Sequence, residues 1–145
     1  MSATLYNADI LRLAAEMPHG ERLLDPMGSS QKRSAVCGSR VTVDVDLDAE
    51  GRVVAVGMLV RACALGQASS SLLAGAAVGR TPQELVAARD ALARWLAEGG
   101  DAPGWPGLAV FEPARAHTAR HPSIRLAFEA AAEAAERAAA RLVPA

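Results

Sequence analysis

Two thiols carry the first chemistry in this chain. Cys37 stands in Ala35-Val36-Cys37-Gly38-Ser39 and Cys63 in Arg61-Ala62-Cys63-Ala64-Leu65-Gly66-Gln67. Gly38 permits a tight turn that leaves the first thiol uncrowded. The second falls where a strand pattern gives way to a helix pattern, and a thiol at a helix N-terminus meets unpaired amides and the positive end of the dipole. Such surroundings favour the thiolate, the form that acts as nucleophile or metal ligand. Both positions also suit small buried side chains, as free cysteines frequently are.

The remaining candidates are weaker. His19, His117 and His121 are the imidazoles. The last two lie in a polar, Pro-interrupted stretch, 114–122, where a solvated loop is the simpler reading. Asp44, Asp46 and Asp48 alternate along one strand and read as its wet face rather than as a cation site. Arg33, Arg40, Arg61 and Arg120 stand near the thiols in sequence. There they would favour thiolates and dock an acidic partner, or else be scattered solvated cations. Ser69-Ser70-Ser71 lacks the Gly-x-Ser-x-Gly elbow of a serine hydrolase, no Gly-rich phosphate loop occurs, and Lys32 is the single amine for lysine chemistry.

These residues need elements to position them. Val41, Val43, Val45 and Leu47 alternate with polar residues, Asp48-Ala49-Glu50-Gly51 signals a turn, and Val53 to Val60 reads as a second strand, giving an antiparallel hairpin. The hairpin returns the chain, so Cys37 before one strand and Cys63 after the next fall at one edge of the sheet. A third strand is expected at 21–24 or 32–36. A short amphipathic helix over 7–17 precedes the sheet as a lid. Helical patterns follow over 64–78, over a segment opened by Thr81-Pro82-Gln83-Glu84 and ended by Gly99-Gly100, and over 122–142, where alanine dominates. Pro103-Gly104-Trp105-Pro106-Gly107 reads as a loop without regular structure. Strands followed by helices not interleaved with them give an α+β fold: a small antiparallel sheet of about three strands, helices packed on one face, and a long C-terminal helix.

Composition narrows the class. The 145 residues, 51% hydrophobic and 21% charged, suit a single domain spanning 1–145. Fifteen basic against sixteen acidic residues give a net charge of -1, with no electrostatic reason to expect nucleic acid or an acidic membrane surface as partner. The first ten residues lack the basic and apolar regions of a secretory signal and no run approaches a membrane span, so a cytoplasmic location is expected. There the two cysteines would stay reduced. Two cysteines also rule out a four-thiolate zinc or cluster site built by one chain.

Cys37-Gly38-Ser39, the hairpin of alternating valines, and Cys63 opening a helix with Ala68-Ser69-Ser70-Ser71-Leu72 together resemble the NifU/IscU/SufU family of iron-sulfur cluster assembly scaffolds. The family pattern is Cys-Gly-Asp, a hairpin, a Cys before a Ser/Ala-rich helix start, and a third Cys opening the C-terminal helix. The resemblance runs from Glu21 to Ala139. The family's Arg-x-x-Cys-x-x-Leu-x-Trp reads here as Arg120-His121-Pro122-Ser123-Ile124-Arg125-Leu126-Ala127-Phe128. Ser39 thus replaces the family's Asp, and Ser123 its third Cys. A hydroxyl stays protonated near neutral pH and ligates far more weakly than a carboxylate or thiolate.

The resemblance implies a carrier rather than an enzyme. It would receive sulfur from a cysteine desulfurase, hold iron or a transient iron-sulfur cluster, and pass it to recipient apoproteins. Cys37 and Cys63 would be the thiolate ligands, with Ser39, Ser123 and His121 completing a weaker site. Zinc is a further candidate, as in the family's zinc-containing branch. The alternative is a degenerate member that docks the desulfurase and relays persulfide without a stable cluster. A homodimer pooling Cys37 and Cys63 from two chains would recover four thiolates.

Overall fold

Val41, Val43 and Val45 are buried on the middle strand of a three-stranded antiparallel sheet. The computed structural model describes residues 6–35 and 38–142. The elements run α1 (Ala8–Glu16), β1 (Gly28–Arg33), β2 (Arg40–Leu47), β3 (Val53–Arg61), α2 (Ala64–Ala77), α3 (Pro82–Glu98), two 3₁₀ segments (Leu108–Ala116 and Thr118–Arg120) and α4 (His121–Ala140). The sheet order is β1-β2-β3, and Val43 lies opposite Ser30 on one side and Met58 on the other. The expected β2–β3 hairpin is present. Asp48 closes its turn, its carboxylate accepting from the amides of Glu50 (3.0 Å) and Arg52 (2.9 Å).

The third strand begins earlier than the sequence suggests. Gly28–Arg33 reads GSSQKR, which has no apolar alternation to announce it. Its inward residues instead answer α4: Ser30 Oγ and Lys32 Nζ both donate to Glu133, at 2.9 and 2.7 Å. The Lys32 bond, followed by that of Ser30, holds the Glu133 carboxyl below the usual carboxylate range although partial burial opposes this.

Helix α4 is the centre of the fold, packed on β1 and β2 and flanked by α2 and α3. Its alanines at 127, 130, 131, 134, 135 and 138 are buried. A helix covered on nearly every side needs apolar residues around most of its circumference, and alanine lets the sheet and two helices approach closely. Thr81 opens α3 with a capping box, accepting from the Glu84 amide while Glu84 accepts from the Thr81 amide, both at 3.1 Å. Asn7 caps α1 by accepting from Ile10 (3.0 Å), and the expected lid is a helix lying along α2. The stretch 103–107 is a loop without regular structure, as expected, and the two 3₁₀ segments follow it. Trp105 donates to the Leu72 carbonyl (2.9 Å) and meets Phe128 edge-on at 5.3 Å, and Leu108 and Phe111 of the first 3₁₀ segment are fully buried.

The outer face of the sheet departs most from expectation. Asp44 is completely buried rather than wet. The chain over 21–27 crosses this face as a strap: Arg22 grips Asp44 through Nε and Nη2, each at 2.9 Å, Ser29 Oγ adds a bond of 2.6 Å, and the Leu23 amide one of 3.1 Å. Asp46 accepts from the Met27 amide (2.8 Å). Gly57, opposite Asp44, admits the strap, since a Cβ there would lie 2.6 Å from Glu21 O and Leu23 N. All three aspartates therefore have structural partners, and 21–24 is this strap rather than a strand. None of the described helices is long and apolar enough to cross a membrane.

Candidate functional site

Cys63 is the N-cap of α2, with extended backbone at φ −65° and ψ 173°, and is partly buried. The strand-to-helix junction expected from the sequence is thus where the thiol sits. Its carbonyl accepts the first helical bond from Gln67 N (2.9 Å), and the Gln67 side chain ties the turn down by donating to Ala62 O (2.9 Å). The thiol itself makes no capping hydrogen bond.

Ser123 is brought to the same place by helix packing. It is the third residue of α4 and is 1% exposed. The first turn of α2 presents Gly66 to it, where a Cβ would fall 3.3 Å from Ser123 O and 3.9 Å from Ser123 Cβ. One turn on, Ser69 Oγ donates to Ile124 O at 2.5 Å. The N-termini of α2 and α4 are therefore locked side by side. The Ser/Ala composition of α2 follows from this, since small residues allow the approach and the buried hydroxyl finds its acceptor across the gap.

The loop between β1 and β2 reaches the same end of the sheet. Arg33 pairs with Arg40 and Arg40 with Arg61, so the connection 34–39 and the start of α2 leave adjacent strand ends. The loop is closed by Ser34 N donating to Ser39 O and Gly38 N to Ser34 O, both at 2.9 Å. Ser39 is buried. Cys37 lies outside the described residues.

The histidines divide. His117 is exposed at the end of the first 3₁₀ segment. His121 opens α4 and is nearly buried, with Nε2 2.9 Å from the Arg115 carbonyl. A carbonyl can only accept, so Nε2 carries the proton and Nδ1 is the nitrogen left for a ligand. Among the described residues no three His, Cys, Asp or Glu side chains gather as a metal site, so these residues alone do not fit a resident four-ligand zinc.

Arg125, two residues beyond Ser123, was not singled out by sequence reasoning. Its Nε is buried without a hydrogen-bond partner, as is Ser34 Oγ at the other side of the site. A lone cation between the apolar Ile124 and Leu126 is the signal that could have found it.

With 40% identity over 94% of this chain and 96% of the other, and a TM-score of 0.89, the N-terminal part of a nitrogen-fixing NifU-like protein from Brucella abortus has the same structure. The chain belongs to the NifU/IscU/SufU family. A second solved structure shares the fold, a protein from the thermophile Fervidobacterium islandicum AW-1 assigned as an iron-sulfur cluster assembly scaffold of the SUF system. It has 18% identity, a TM-score of 0.81, and coverage of 90% of this chain and 96% of its own. No protein-family model and no curated protein matches the chain. The helix packing just described brings the start of α2, which Cys63 caps, against the start of α4, which carries Ser123.

Proposed function

We propose that this chain is a scaffold-type carrier of iron-sulfur cluster assembly, with Cys63 and Cys37 as the thiolates that meet the cargo. The observation that carries this reading is Cys63 at the N-cap of α2, whose first turn packs through Gly66 against Ser123 at the start of α4, in a chain 40% identical to a NifU-like protein. Iron and sulfide are cargo here, received and passed on. The two thiolates supply charge and soft donors, while Ser39 and Ser123 supply hydroxyls that hold a cation weakly. Weak holding suits release to a recipient apoprotein. A cysteine desulfurase is the sulfur source that fits: its persulfide sulfur becomes cluster sulfide by a two-electron reduction that an external thiol or electron-transfer protein supplies, and passing the finished cluster to a recipient is ligand exchange.

Anaerobic reconstitution of the purified chain with ferrous iron and sulfide tests the reading. Visible sulfur-to-iron charge-transfer absorption is expected, lost in Cys63→Ala and in Cys37→Ala. Its absence from the unsubstituted protein overturns cluster holding.

A second reading rests on Cys63 alone, the partly buried thiol at the N-cap of α2. In it, Cys63 thiolate attacks the outer sulfur of a desulfurase persulfide, forming Cys63–S–SH and releasing the desulfurase thiolate, with no change in total oxidation state. A one-sulfur adduct on Cys63 by mass spectrometry, without bound metal, favours relay over scaffold.

A further inference from the structure

Half of the fourteen arginines are ion-paired, from Arg12 in the first helix to Arg137 in the last. The unpaired ones are not spread evenly. Arg33, Arg40, Arg61, Arg120 and Arg125 have no carboxylate partner among the described residues, and all belong to the end of the molecule that holds Cys63. Three of them form a row. Arg33, Arg40 and Arg61 are direct register partners across β1, β2 and β3, so their side chains leave the same face of the sheet. The alternation that puts Val41 inside puts this row on the outer face, beyond the reach of the strap that pairs with Asp44 and Asp46. Arg33 and Arg61 are exposed, and Arg40 is half-buried between them. In the next row Leu59 is 41% exposed, an apolar side chain beside the three cations.

Like charges directly opposite in a sheet destabilise it, and two consecutive such pairs are an arrangement that folding alone does not reward. We propose that this row is a docking surface for an acidic helix of a partner protein. The spacing selects the partner. Adjacent strands lie about 4.8 Å apart, so the row spans roughly 10 Å. Carboxylates at i, i+3 or i+4, and i+7 of a helix are separated by about 5–6 Å and span about 10.5 Å. A helix lying across the strands places one carboxylate over each arginine and an apolar neighbour over Leu59. An extended acidic segment matches less well, because same-face residues repeat about every 6.8 Å. Arg61 is two residues from Cys63, so a protein seated here has the thiol within reach. The inference rests in that respect on the carrier reading, but its test uses no iron, sulfide or thiol chemistry.

The probe is a synthetic alanine-based helical peptide with glutamates in one i, i+4, i+7 stripe, titrated into isotopically labelled protein and followed by amide shifts and fluorescence anisotropy at low salt. Two controls carry the same charge: a peptide with its glutamates scattered around the helix, and a short DNA duplex. The striped peptide is expected to bind most tightly and to shift Gln31, Thr42 and Leu59. The Arg33→Gln/Arg40→Gln/Arg61→Gln variant is expected to weaken binding about tenfold, as the loss of three exposed ion pairs implies. Arg94→Gln, which removes an unpaired exposed arginine elsewhere, and Cys63→Ala are expected to leave binding unchanged. Arg40→Gln alone is expected to raise Tm by about 2–4 °C, because it relieves two like-charge pairs. Equal or tighter binding of the scattered peptide or the DNA, shifts confined to another face, or undiminished binding by the triple variant overturns the proposal. Failure here with cluster absorption intact leaves the carrier reading standing, and the reverse result separates them equally well.

Discussion

Asp44 has no exposed surface and four hydrogen bonds, from Arg22 twice, Ser29 and Leu23. Burial alone would raise its pKa, but the bonds from Arg22, Ser29 and the Leu23 amide together outweigh burial and hold the carboxyl below its ordinary value. A carboxylate whose folded pKa is depressed contributes stability above its unfolded value and loses it as pH falls through the folded one. Asp44→Asn is therefore expected to cost about 1–3 kcal/mol at neutral pH, since it removes the charge and turns one of the two buried acceptor oxygens into an NH₂ facing the donors of Arg22, Ser29 and Leu23. The gap between variant and parent should begin to narrow below about pH 4 and go on narrowing as pH falls toward the lower folded value. Denaturant melts at pH 7 and pH 3 measure it, and a gap that stays constant between them contradicts this account. The alternation around Asp44 was legible in the sequence, but its burial was not. Its partner Arg22 lies outside any periodic pattern, and nothing local marks a strap that crosses from another part of the chain. Cys63 was more legible, because a strand-to-helix junction leaves a change of period where it sits.

The elements show the same division. The capping box of α3 and the β2–β3 turn are written in a few adjacent residues, and both form where expected. Strand β1 is written in no local pattern, because its inward face is polar and paired with Glu133 of α4, more than a hundred residues away. The 3₁₀ segments are likewise fixed by tertiary burial of Leu108 and Phe111, which overrides the prolines around them. The strap depends on Gly57. Gly57→Ala places a Cβ 2.6 Å from two backbone atoms that have no flexible side chain to yield. A loss of about 1–3 kcal/mol is expected. Hydrogen exchange should quicken at Leu23 and at Met58, whose amide donates to Glu21 O (3.1 Å). Protection unchanged at both amides would show that the strap tolerates the methyl.

At the scale of the whole molecule, one apolar cluster joins the sheet to the helices, from Val41, Val43 and Met58 through Leu65 and Leu73 to Leu92, Phe111 and Phe128. This core holds the fold, so a chelator added to the freshly purified protein is expected to leave Tm unchanged. Small domains folded around a structural metal behave in the opposite way, and a fall of several degrees with EDTA would place this chain among them. The fold class was readable from the order of strand and helix patterns, because layer architecture depends on where apolar faces lie and not on exact boundaries. The arginine row was not readable as a row. The sequence shows Arg33, Arg40 and Arg61 only as neighbours of the cysteines, and it takes the strand register to line them up.

The Ser69 hydroxyl bonded to the Ile124 carbonyl, with Gly66 against Ser123, means that α2 and α4 meet the site as one rigid jaw. The gauge between the thiol end of one helix and the hydroxyl end of the other is fixed by their packing. A substitution at Ser69 or Gly66, remote from the chemistry, would reset that gauge without touching a single candidate ligand.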